Sequence, residues 1–339
     1  MSGKNKDVKT ETVTYEEANT RLDRWVKRRM TLSQGEVEKL LRKGQIRVDG
    51  ARAKSNTRVQ AGQEVRLPPQ FVVKSTLPYK DEFPGGKHVG GDQKFMQDMV
   101  LFENDEMFVL NKPQGFAVQG GTNTYRHVDG MLGYLRGSNE HRPKLVHRLD
   151  KATSGVLVVA KHPASAARLG ELFRGRTLDK VYWAVTVKVP HPPAGQVRCW
   201  VARGNGSEEM PDKEKMYRAN QGRDFSKHTI SDYAVITTAG RQAAWVALKP
   251  VTGRTHQLRL HMFELDSSIL GDDKYATRRE VPQGVAPGLH LHARSITIPQ
   301  SRGKPITVTA PLPMHMKETF DTLGFIESEA GKDPTEPFA

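Results

Sequence analysis

One segment of the sequence combines residue types that could perform chemistry. Residues 147–155 read HRLDKATSG and continue directly into the apolar run VLVVA. A polar loop that ends in Ser-Gly before a buried strand places Asp150 at the mouth of that strand, where its carboxylate faces a cleft rather than the core. An aspartate in a loop is, by itself, more often a turn or capping residue. Asp150 is therefore a candidate that needs support from a second segment.

Residues 253–261, GRTHQLRLH, form a second segment that is equally rich in hydrogen-bond donors. If the segment is helical, Thr255, Arg259 and Met262 share a face, because side chains three and four residues apart are neighbours on a helix. A carboxylate in a dry pocket tends to protonate, so a nearby cation is needed to keep it ionised. Arg259 is the candidate for that cation. Arg254 is the alternative, and it could instead hold a phosphate.

Several common catalytic classes have no local signature in the chain. The sequence contains no GxSxG, no GxxxxGK[ST], no GxGxxG after a strand and no HExxH, which weakens serine hydrolases, P-loop NTPases, dinucleotide enzymes and zincins. Its one cysteine, Cys199, excludes an internal disulfide framework and any multi-cysteine metal centre. Four histidines have spacings that are not typical of a metal site, namely His256, His261, His290 and His292. We therefore expect neither a metal nor a cofactor.

The elements that must position these residues begin after a polar lead, residues 1–19, which we expect to be disordered. Apolar residues then recur at helical spacing and predict an amphipathic helix, at positions Leu22, Trp25, Val26 and Met30. Ser33 and Glu36 have the spacing of a capping box for a second helix, which Gly44 ends. Short alternating strands follow. Residues 20–70 are thus predicted to form a unit of two helices and small strands.

The surface of this first unit is dense in lysine and arginine. Across the chain, 52 Lys and Arg face 38 Asp and Glu, and the formal net charge of +14 favours a polyanionic partner because phosphate contacts release counterions. A merely solvated charged face is the plainer interpretation. About fifty residues bury only a small core, so we expect the unit to serve through its surface. The residues expected to bind RNA there are Arg21, Arg24, Lys27, Arg28, Lys39, Arg42, Lys43 and Arg47.

The rest of the chain has the pattern of a linker and a larger domain. Residues 71–95 are rich in Pro, Gly and charge, which is typical of a flexible tether. In residues 96–326, β-branched runs outnumber helices and predict a mixed α+β domain. Within it, residues 203–228 are expected to form an exposed excursion, and residues 327–339 a disordered tail. Helices are predicted near residues 130–135, 164–173 and 255–263.

Two sets of motifs resemble known families. RLDRWVKRR, LLRKGQIRVDG and AGQEVRLP, within residues 20–68, resemble the S4 RNA-binding module. NKPQGFAVQGG, HRLDKATSGVLVVAK, DKVYWA, GRTHQLRLH and LHLHA resemble the motifs of the large-subunit ribosomal pseudouridine synthases typified by RluA, RluC and RluD, and most closely the RluC/RluD branch. The resemblance covers nearly all of residues 20–313. It implies a mainly antiparallel catalytic sheet and site-specific isomerisation of uridine to pseudouridine in 23S-type large-subunit ribosomal RNA.

The resemblance also assigns roles to individual residues. Asp150 maps onto the family's essential aspartate, and Arg259 onto its salt-bridge partner. Tyr182 maps onto the tyrosine that packs on the target base and assists removal of the proton from carbon 5, although its pattern alone indicates a strand core aromatic. Arg148 matches the arginine that enters the space left by the flipped base, with a simple phosphate contact as the alternative. His147, in the same motif, joins the expected RNA contacts. Isomerisation gains and loses no atoms, which agrees with the expectation of no cofactor.

The implied partners are large-subunit ribosomal RNA or an assembling ribosomal subunit, with no obligate protein partner and no membrane. The sequence has no run of the roughly 18 to 20 apolar residues needed to cross a bilayer, so we expect a cytoplasmic protein. Three other hypotheses stay open: a family member acting on transfer RNA, a non-catalytic RNA-binding assembly factor, and a metal-dependent hydrolase.

Overall fold

The structure is a computed structural model that divides into two compact units, Met1–Glu82 and Phe83–Ala339. It describes residues 9–14, 17–18, 20–30, 32–68, 89–121, 124, 126–223, 225–275, 281–300, 302–331, 333 and 335–338. The unit boundary falls inside the predicted linker, of which residues 71–88 lie outside the described residues. Among the described helices, none is long and apolar enough to cross a membrane.

The first unit packs two helices on a small antiparallel sheet. Helix α1 is Leu22–Arg29 and α2 is Gln34–Arg42. The strands are β1 (Lys9–Thr12), β2 (Arg47–Val48), β3 (Ala51–Arg52) and β4 (Glu64–Leu67), in the order β1-β4-β2-β3. Ser33 and Glu36 form the predicted capping box, and Gly44 follows α2 with a positive φ of 68°. Trp25 is among the largest fully buried side chains of the core.

The polar lead is more ordered than predicted. Residues 9–12 form β1, which pairs with β4, and Val13 is buried in the core. Arg29 explains the order, because its buried guanidinium stacks 3.5 Å from the Trp25 ring centroid and pairs with Glu11 at 2.6 Å and Glu17 at 2.8 Å. A buried arginine requires such partners. The prediction of disorder for residues 1–19 is therefore wrong for the described part, and residues 1–8 lie outside the description.

The second unit is an α+β domain built on one sheet. In its described part, the sheet has the strand order β11-β10-β12-β13-β9-β14-β8-β6-β5, with β15 on β14 and β7 on β8. All described pairings are antiparallel except that of β8 with β14. The strands are β5 (Val100–Glu103), β6 (Met107–Lys112), β7 (Lys144–Leu145), β8 (Ser154–Ala160), β9 (Asp179–Val187), β10 (Ala194–Arg203), β11 (Met216–Ala219), β12 (Lys227–Ala239), β13 (Ala243–Pro250), β14 (Leu291–Ile298) and β15 (Ile306–Thr309).

Helices accompany this sheet; the three predicted helical segments are found among them, and two further helices were not predicted. They are α3 (Val89–Asp98), α4 (Val128–Met131) with a 3-10 turn at Leu132–Leu135, α5 (Pro163–Gly175), α6 (Gln257–Glu264) and α7 (Met314–Leu323). The helix predicted from Thr255 begins two residues later because His256 has a positive φ of 52°, which is outside the helical region. Strand β8 is buried along its whole length, as expected for a central strand covered on both faces.

Three segments of the second unit differ from their predictions. Residues 89–95, assigned to the linker, belong to α3. The excursion over 203–228 is largely exposed but contains strand β11 at the sheet edge. The tail over 327–339 is not disordered where it is described, because Glu327–Ala330 and Glu336–Phe338 form 3-10 turns and Ala330 is buried. An ion pair of 3.0 Å from Arg294 to Glu327 also ties the tail to β14.

Candidate active site

Asp150 lies in a turn directly before β8, so that its carboxylate comes at the mouth of a buried strand. The Thr153 N–H donates to the Asp150 carbonyl and closes the turn. At the start of β8, Gly155 has a positive φ of 102°, and a Cβ built there would overlap the carbonyl of Ala293 on β14. Only glycine fits so close an approach. The side chain of Asp150 remains 22% exposed, which leaves it accessible from outside the sheet.

Lys112 ties the loop of Asp150 to the preceding strand. This lysine ends β6, is fully buried, and its ammonium donates to the carbonyls of Pro113, Phe116 and Lys151. The Gly115 N–H donates to the same Lys151 carbonyl. Burial lowers the pKa of Lys112 to about 7, against the opposing effect of the negative charge of Asp150. The NKPQG motif therefore holds the Asp150 turn in place and adds a titratable cation behind it.

Arg259 lies on α6, within the predicted helix, and is buried, but its ion pairs differ from the prediction. Its Nε and Nη2 donate to Asp272 at 2.7 and 2.6 Å, and Nη2 also reaches Asp273 at 2.8 Å. The predicted direct salt bridge to Asp150 is replaced by this pairing. Burial lowers the pKa of Arg259, but the hydrogen bonds and charge of Asp272, together with the charge of Asp150, hold it above its usual value. Arg259 thus remains within electrostatic range of Asp150.

Tyr182 is brought to the same place by the central strand β9. It pairs in register with Leu248 on β13 and Ala293 on β14 and is partly buried. Burial and the nearby negative charge of Asp150 both raise the pKa of Tyr182 well above its ordinary value. The phenol therefore stays neutral at physiological pH, which suits a packing surface or hydrogen-bond donor rather than a base.

His256 is the titratable side chain that lies 3.9 Å from the Asp150 carboxylate, measured from Nε2 to Oδ2. It sits at the start of α6 and is 10% exposed. Its Nδ1 lies 3.2 Å from the Tyr275 hydroxyl. Burial lowers the pKa of His256, with Asp150 opposing that effect. Because the pKa is lowered, the imidazole is neutral at physiological pH.

The remaining predicted residues of this unit separate into exposed and internal ones. Arg148 and Arg254 are exposed, next to Asp150 and α6 in the chain, where they are free to meet a ligand. His147 is internal: its ring stacks 4.1 Å from the ring of Phe173, and its Nε2 accepts the N–H of Val158. Burial lowers the pKa of His147 to about 3. An RNA contact through His147 is therefore not supported, and the residue supports β8 instead.

The other three histidines of the set with atypical metal-site spacing are structural. His261 meets the Thr229 hydroxyl at 2.9 Å, His290 the Thr319 hydroxyl at 2.7 Å, and His292 the Ser154 hydroxyl at 2.9 Å. All three are fully buried. Burial is the main cause that lowers their pKa values, to about 4, 4 and 3. Within the described residues, no group of three His, Cys, Asp or Glu side chains could hold a metal ion.

The basic surface of the first unit is largely exposed. Among the residues predicted to bind RNA there, Arg24, Lys27, Lys39, Arg42 and Lys43 are exposed. Arg21 is partly committed to Asp23 at 2.6 Å, and Arg47 donates to the carbonyls of Gly44 and Gly50. The side chain of Arg28 lies outside the described residues. A pocket of about 770 Å³ opens on this face, lined by Arg21, Glu38, Leu41, Arg42, Arg52, Ala53, Lys54, Ser55 and Asn56.

Sequence reasoning missed Asp272 and Tyr275 as parts of the site and left His256 without a role there. Asp272 and Tyr275 lie in GDDKY, a segment without helical or strand periodicity. The paired aspartates were a usable signal, because a buried arginine needs a buried carboxylate. His256 lay inside the GRTHQLR motif but was grouped with three structural histidines.

Comparisons with known proteins find a family match within each of the two units. Residues 106–264 match the family model described as RNA pseudouridylate synthase, and residues 20–65 match the S4 domain model. A ribosomal large subunit pseudouridine synthase C of Rickettsia felis is 34% identical over 304 residues, which cover 89% of this chain and 96% of that protein. The protein of the same name from Pasteurella multocida is 32% identical over 325 residues, covering 94% and 95%.

A solved structure extends the agreement to the fold. Human RNA pseudouridylate synthase domain containing 4 matches with a TM-score of 0.58 and 30% sequence identity, over 70% of this chain and 98% of that chain. The chain therefore belongs to the RNA pseudouridylate synthase family. It is an RNA pseudouridine synthase that carries an S4 domain.

Proposed function

We propose that this enzyme converts specific uridines of large-subunit ribosomal RNA to pseudouridine, with Asp150 as its essential group. The observation that carries the proposal is one partly exposed carboxylate before β8 that lies 3.9 Å from His256 and whose charge acts on both Tyr182 and Arg259. The relatives named as ribosomal large subunit synthases support the choice of RNA.

The reaction makes few demands beyond this site. The bond from ribose carbon 1′ to the base nitrogen breaks, the uracil turns, and the same ribose carbon bonds to carbon 5 of the base. Carbon 5 loses a proton and the released nitrogen gains one, so that atoms and electrons balance without an external donor. One ionised carboxylate next to the sugar is required, and Asp150 fills that place.

The other residues divide the remaining work. A stacked uridine must be turned out of the RNA at a cost of a few kcal/mol before it reaches a recessed carboxylate. Exposed Arg148, two positions before Asp150, enters the space that the base leaves or holds its phosphate. Neutral Tyr182 packs on the base, and Arg259 acts on Asp150 through its charge while Asp272 holds it in place. Arg254 holds a phosphate at the rim.

The S4 surface supplies affinity rather than chemistry. Its exposed lysines and arginines neutralise phosphates, and this contribution weakens with salt because it derives from counterion release. The larger unit supplies shape recognition and base flipping.

The test is an Asp150→Asn variant, which keeps the shape of the side chain and removes its charge. We expect pseudouridine formation on a large-subunit ribosomal RNA transcript to fall at least about 1,000-fold, since the essential group is lost, while RNA binding persists. Pseudouridines are mapped by carbodiimide-dependent primer-extension stops. Asp321→Asn, an exposed carboxylate on α7, is the matched control and retains wild-type activity.

Two results would overturn the proposal. An Asp150→Asn enzyme that still forms pseudouridine removes the essential role of that carboxylate. Wild-type enzyme that modifies transfer RNA transcripts and leaves ribosomal RNA untouched shifts the substrate to the other RNA class.

A further inference from the structure

His256 has a place in the site that the reaction described above does not use. Its Nε2 lies 3.9 Å from the Asp150 carboxylate, and both side chains are mostly buried, at 10% and 22% exposure. It is held there by a backbone with a positive φ of 52° directly before α6, a conformation uncommon for a residue other than glycine. Such a conformation persists where the surrounding structure over-determines it, often at functional sites.

The hydrogen bonds of Tyr275 fix which nitrogen of His256 carries the proton. The Tyr275 hydroxyl oxygen accepts the N–H of Met216 at 2.8 Å, and its single proton is donated to the Met216 carbonyl at 3.1 Å. At the 3.2 Å contact with His256 the hydroxyl must therefore accept, so Nδ1 of the imidazole is the donor. A neutral imidazole protonated at Nδ1 has its lone pair on Nε2, which is the nitrogen facing Asp150.

Other groups near Asp150 are poorly suited to take a proton from it. Tyr182 is a neutral phenol whose hydroxyl resists ionisation, and the guanidinium of Arg259 is fully protonated and paired with Asp272. The ammonium of Lys112 donates to three carbonyls. Nε2 of His256 therefore offers Asp150 an unprotonated lone pair at short range.

We propose that Asp150 removes the proton from carbon 5 of the base and that His256, a positioning residue that acts through Asp150, accepts this proton at Nε2. The inference rests on the proposed function of Asp150. The C5–H bond breaks and its electron pair stays in the ring, while the Asp150 carboxylate becomes a carboxylic acid. Asp150 then passes the proton to Nε2, which restores the carboxylate and forms an imidazolium that later returns the proton to solvent.

Proton transfer requires the side chains of His256 and Asp150 to move only slightly closer together. The Nε2 to Oδ2 distance must shorten by about 1 Å to reach a hydrogen bond. Catalytic hydrogen bonds are often long without substrate and tighten in the complex. The charged and titratable groups that face His256 are Asp150 from the turn before β8, Arg259 on its own helix, and Asp272, Lys274 and Tyr275 from the segment after α6.

A pH dependence follows with a definite sign. Once His256 is protonated it accepts no further proton, so the rate of the wild-type enzyme falls as the pH drops through the pKa of His256. Burial lowers that pKa, and the fall therefore comes below the ordinary value of 6.5. An enzyme without the imidazole loses this acidic limb.

The test compares His256→Asn with wild type in the full-length enzyme. Asparagine tolerates the positive φ but neither titrates nor accepts in the same place. The substrate is the large-subunit ribosomal RNA transcript labelled with tritium at carbon 5 of uridine, and tritium release under single-turnover conditions reports loss of the C5 proton. We expect about a 100-fold lower rate, a typical acid–base contribution, with RNA affinity and melting temperature unchanged. The acidic limb disappears, and added imidazole restores part of the rate.

Two further variants sharpen the result. His228→Asn removes an exposed histidine on β12 and should leave both rate and pH profile unchanged. Tyr275→Phe removes the acceptor for Nδ1, and we expect about a tenfold loss that imidazole does not restore, because the ring of His256 still occupies the site.

The outcomes separate this inference from the function on which it rests. If His256→Asn retains the wild-type rate within about twofold, keeps the acidic limb, or shows a loss that imidazole does not repair, the role of His256 is refuted. If wild-type enzyme releases no tritium from this RNA, the proposed substrate fails instead.

Discussion

The two units of this enzyme treat charge in opposite ways. Apart from the buried Arg29 and Asp23, the first unit displays its charges on the surface around a small apolar core, as Arg42 and Lys43 do. The second buries ionisable groups in its sheet and helices, including Lys112, Arg259 and His292. Exposed charges are screened by salt and respond little to pH, whereas buried ones respond to pH and little to salt. The first unit is therefore expected to respond to ionic strength, and the second to acid.

Low pH should show the largest difference between the two units, because residues 1–82 contain no histidine. Four histidines of the second unit have pKa values lowered to about 3 or 4, chiefly by burial: His147, His261, His290 and His292. Below pH 6.5 the unfolded chain binds protons that the folded one refuses, so stability falls between about pH 6.5 and 4. Each histidine contributes up to about 1.4 kcal/mol per pH unit. We expect the second unit to unfold in this range, measured by amide NMR signals assigned to each unit.

The first unit serves as the internal control for that titration. Its carboxylate Glu17 is partly buried, which raises its pKa, but hydrogen bonds and the charge of Arg29 outweigh this and keep the pKa below the ordinary 4.5. The stability that this pair contributes is therefore lost only as the pH falls below about 4.5. Simultaneous loss of both sets of NMR signals near pH 6 would show that the buried histidines of the second unit are not the cause of acid unfolding.

The buried pair of Arg259 and Asp272 should show the next largest effect. Asp272→Asn leaves a buried guanidinium without its counter-charge, and breaking such a pair costs about 3 kcal/mol. Asp273, which contacts the same guanidinium, is 77% exposed, so Asp273→Asn should change stability by less than about 0.5 kcal/mol. Urea unfolding of both variants measures the difference. Equal losses in the free energy of unfolding would mean that the buried Asp272 stabilises the fold no more than the exposed Asp273.

The smallest expected effect on protein stability comes from removing exposed cations, which should change only the salt dependence and affinity of RNA binding. Arg42→Gln combined with Lys43→Gln removes two exposed cations, and we expect the slope of log K against log salt to fall by up to about 1.8 for two phosphate contacts. From the same counterion term, affinity should drop by up to about thirtyfold at 0.15 M salt. Filter binding at several salt concentrations gives both values.

The matched pair for this measurement is Lys304→Gln with Lys317→Gln, two exposed lysines of the second unit. An identical loss of slope in that pair would show that binding follows net charge rather than the first unit's surface. Thermal unfolding should be unaffected in both double variants.

The sequence was sufficient where local chemistry decides structure. The capping box at Ser33 and the β-branched run of β8 were each predicted and found. The Asp150 turn was predicted because a polar motif directly precedes an apolar one. The mixed α+β class was predicted because β-branched runs in residues 96–326 outnumber the predicted helices.

What the sequence could not give depends on distant partners. Strand β1 is polar and is ordered by Arg29 and by pairing with β4, about 55 residues away. Arg259 was assigned to Asp150 because both lay in motifs, yet its counter-charge is Asp272 in an unpatterned loop. His147 was predicted to contact RNA because it lies in the motif of Asp150, but its side chain accepts a hydrogen bond from β8 instead. Which polar side chains turn inward is decided by tertiary packing rather than by residue type.

The close contact between Gly155 and Ala293 restricts how this enzyme can be redesigned. A methyl group at position 155 would force β8 and β14 apart, and the displacement would be carried to the turn five residues earlier. Directed evolution towards new RNA targets must therefore leave this seam alone. Diversity belongs instead in the exposed residues over 203–228 and in the cations of the first unit, where replacement leaves the catalytic framework unmoved.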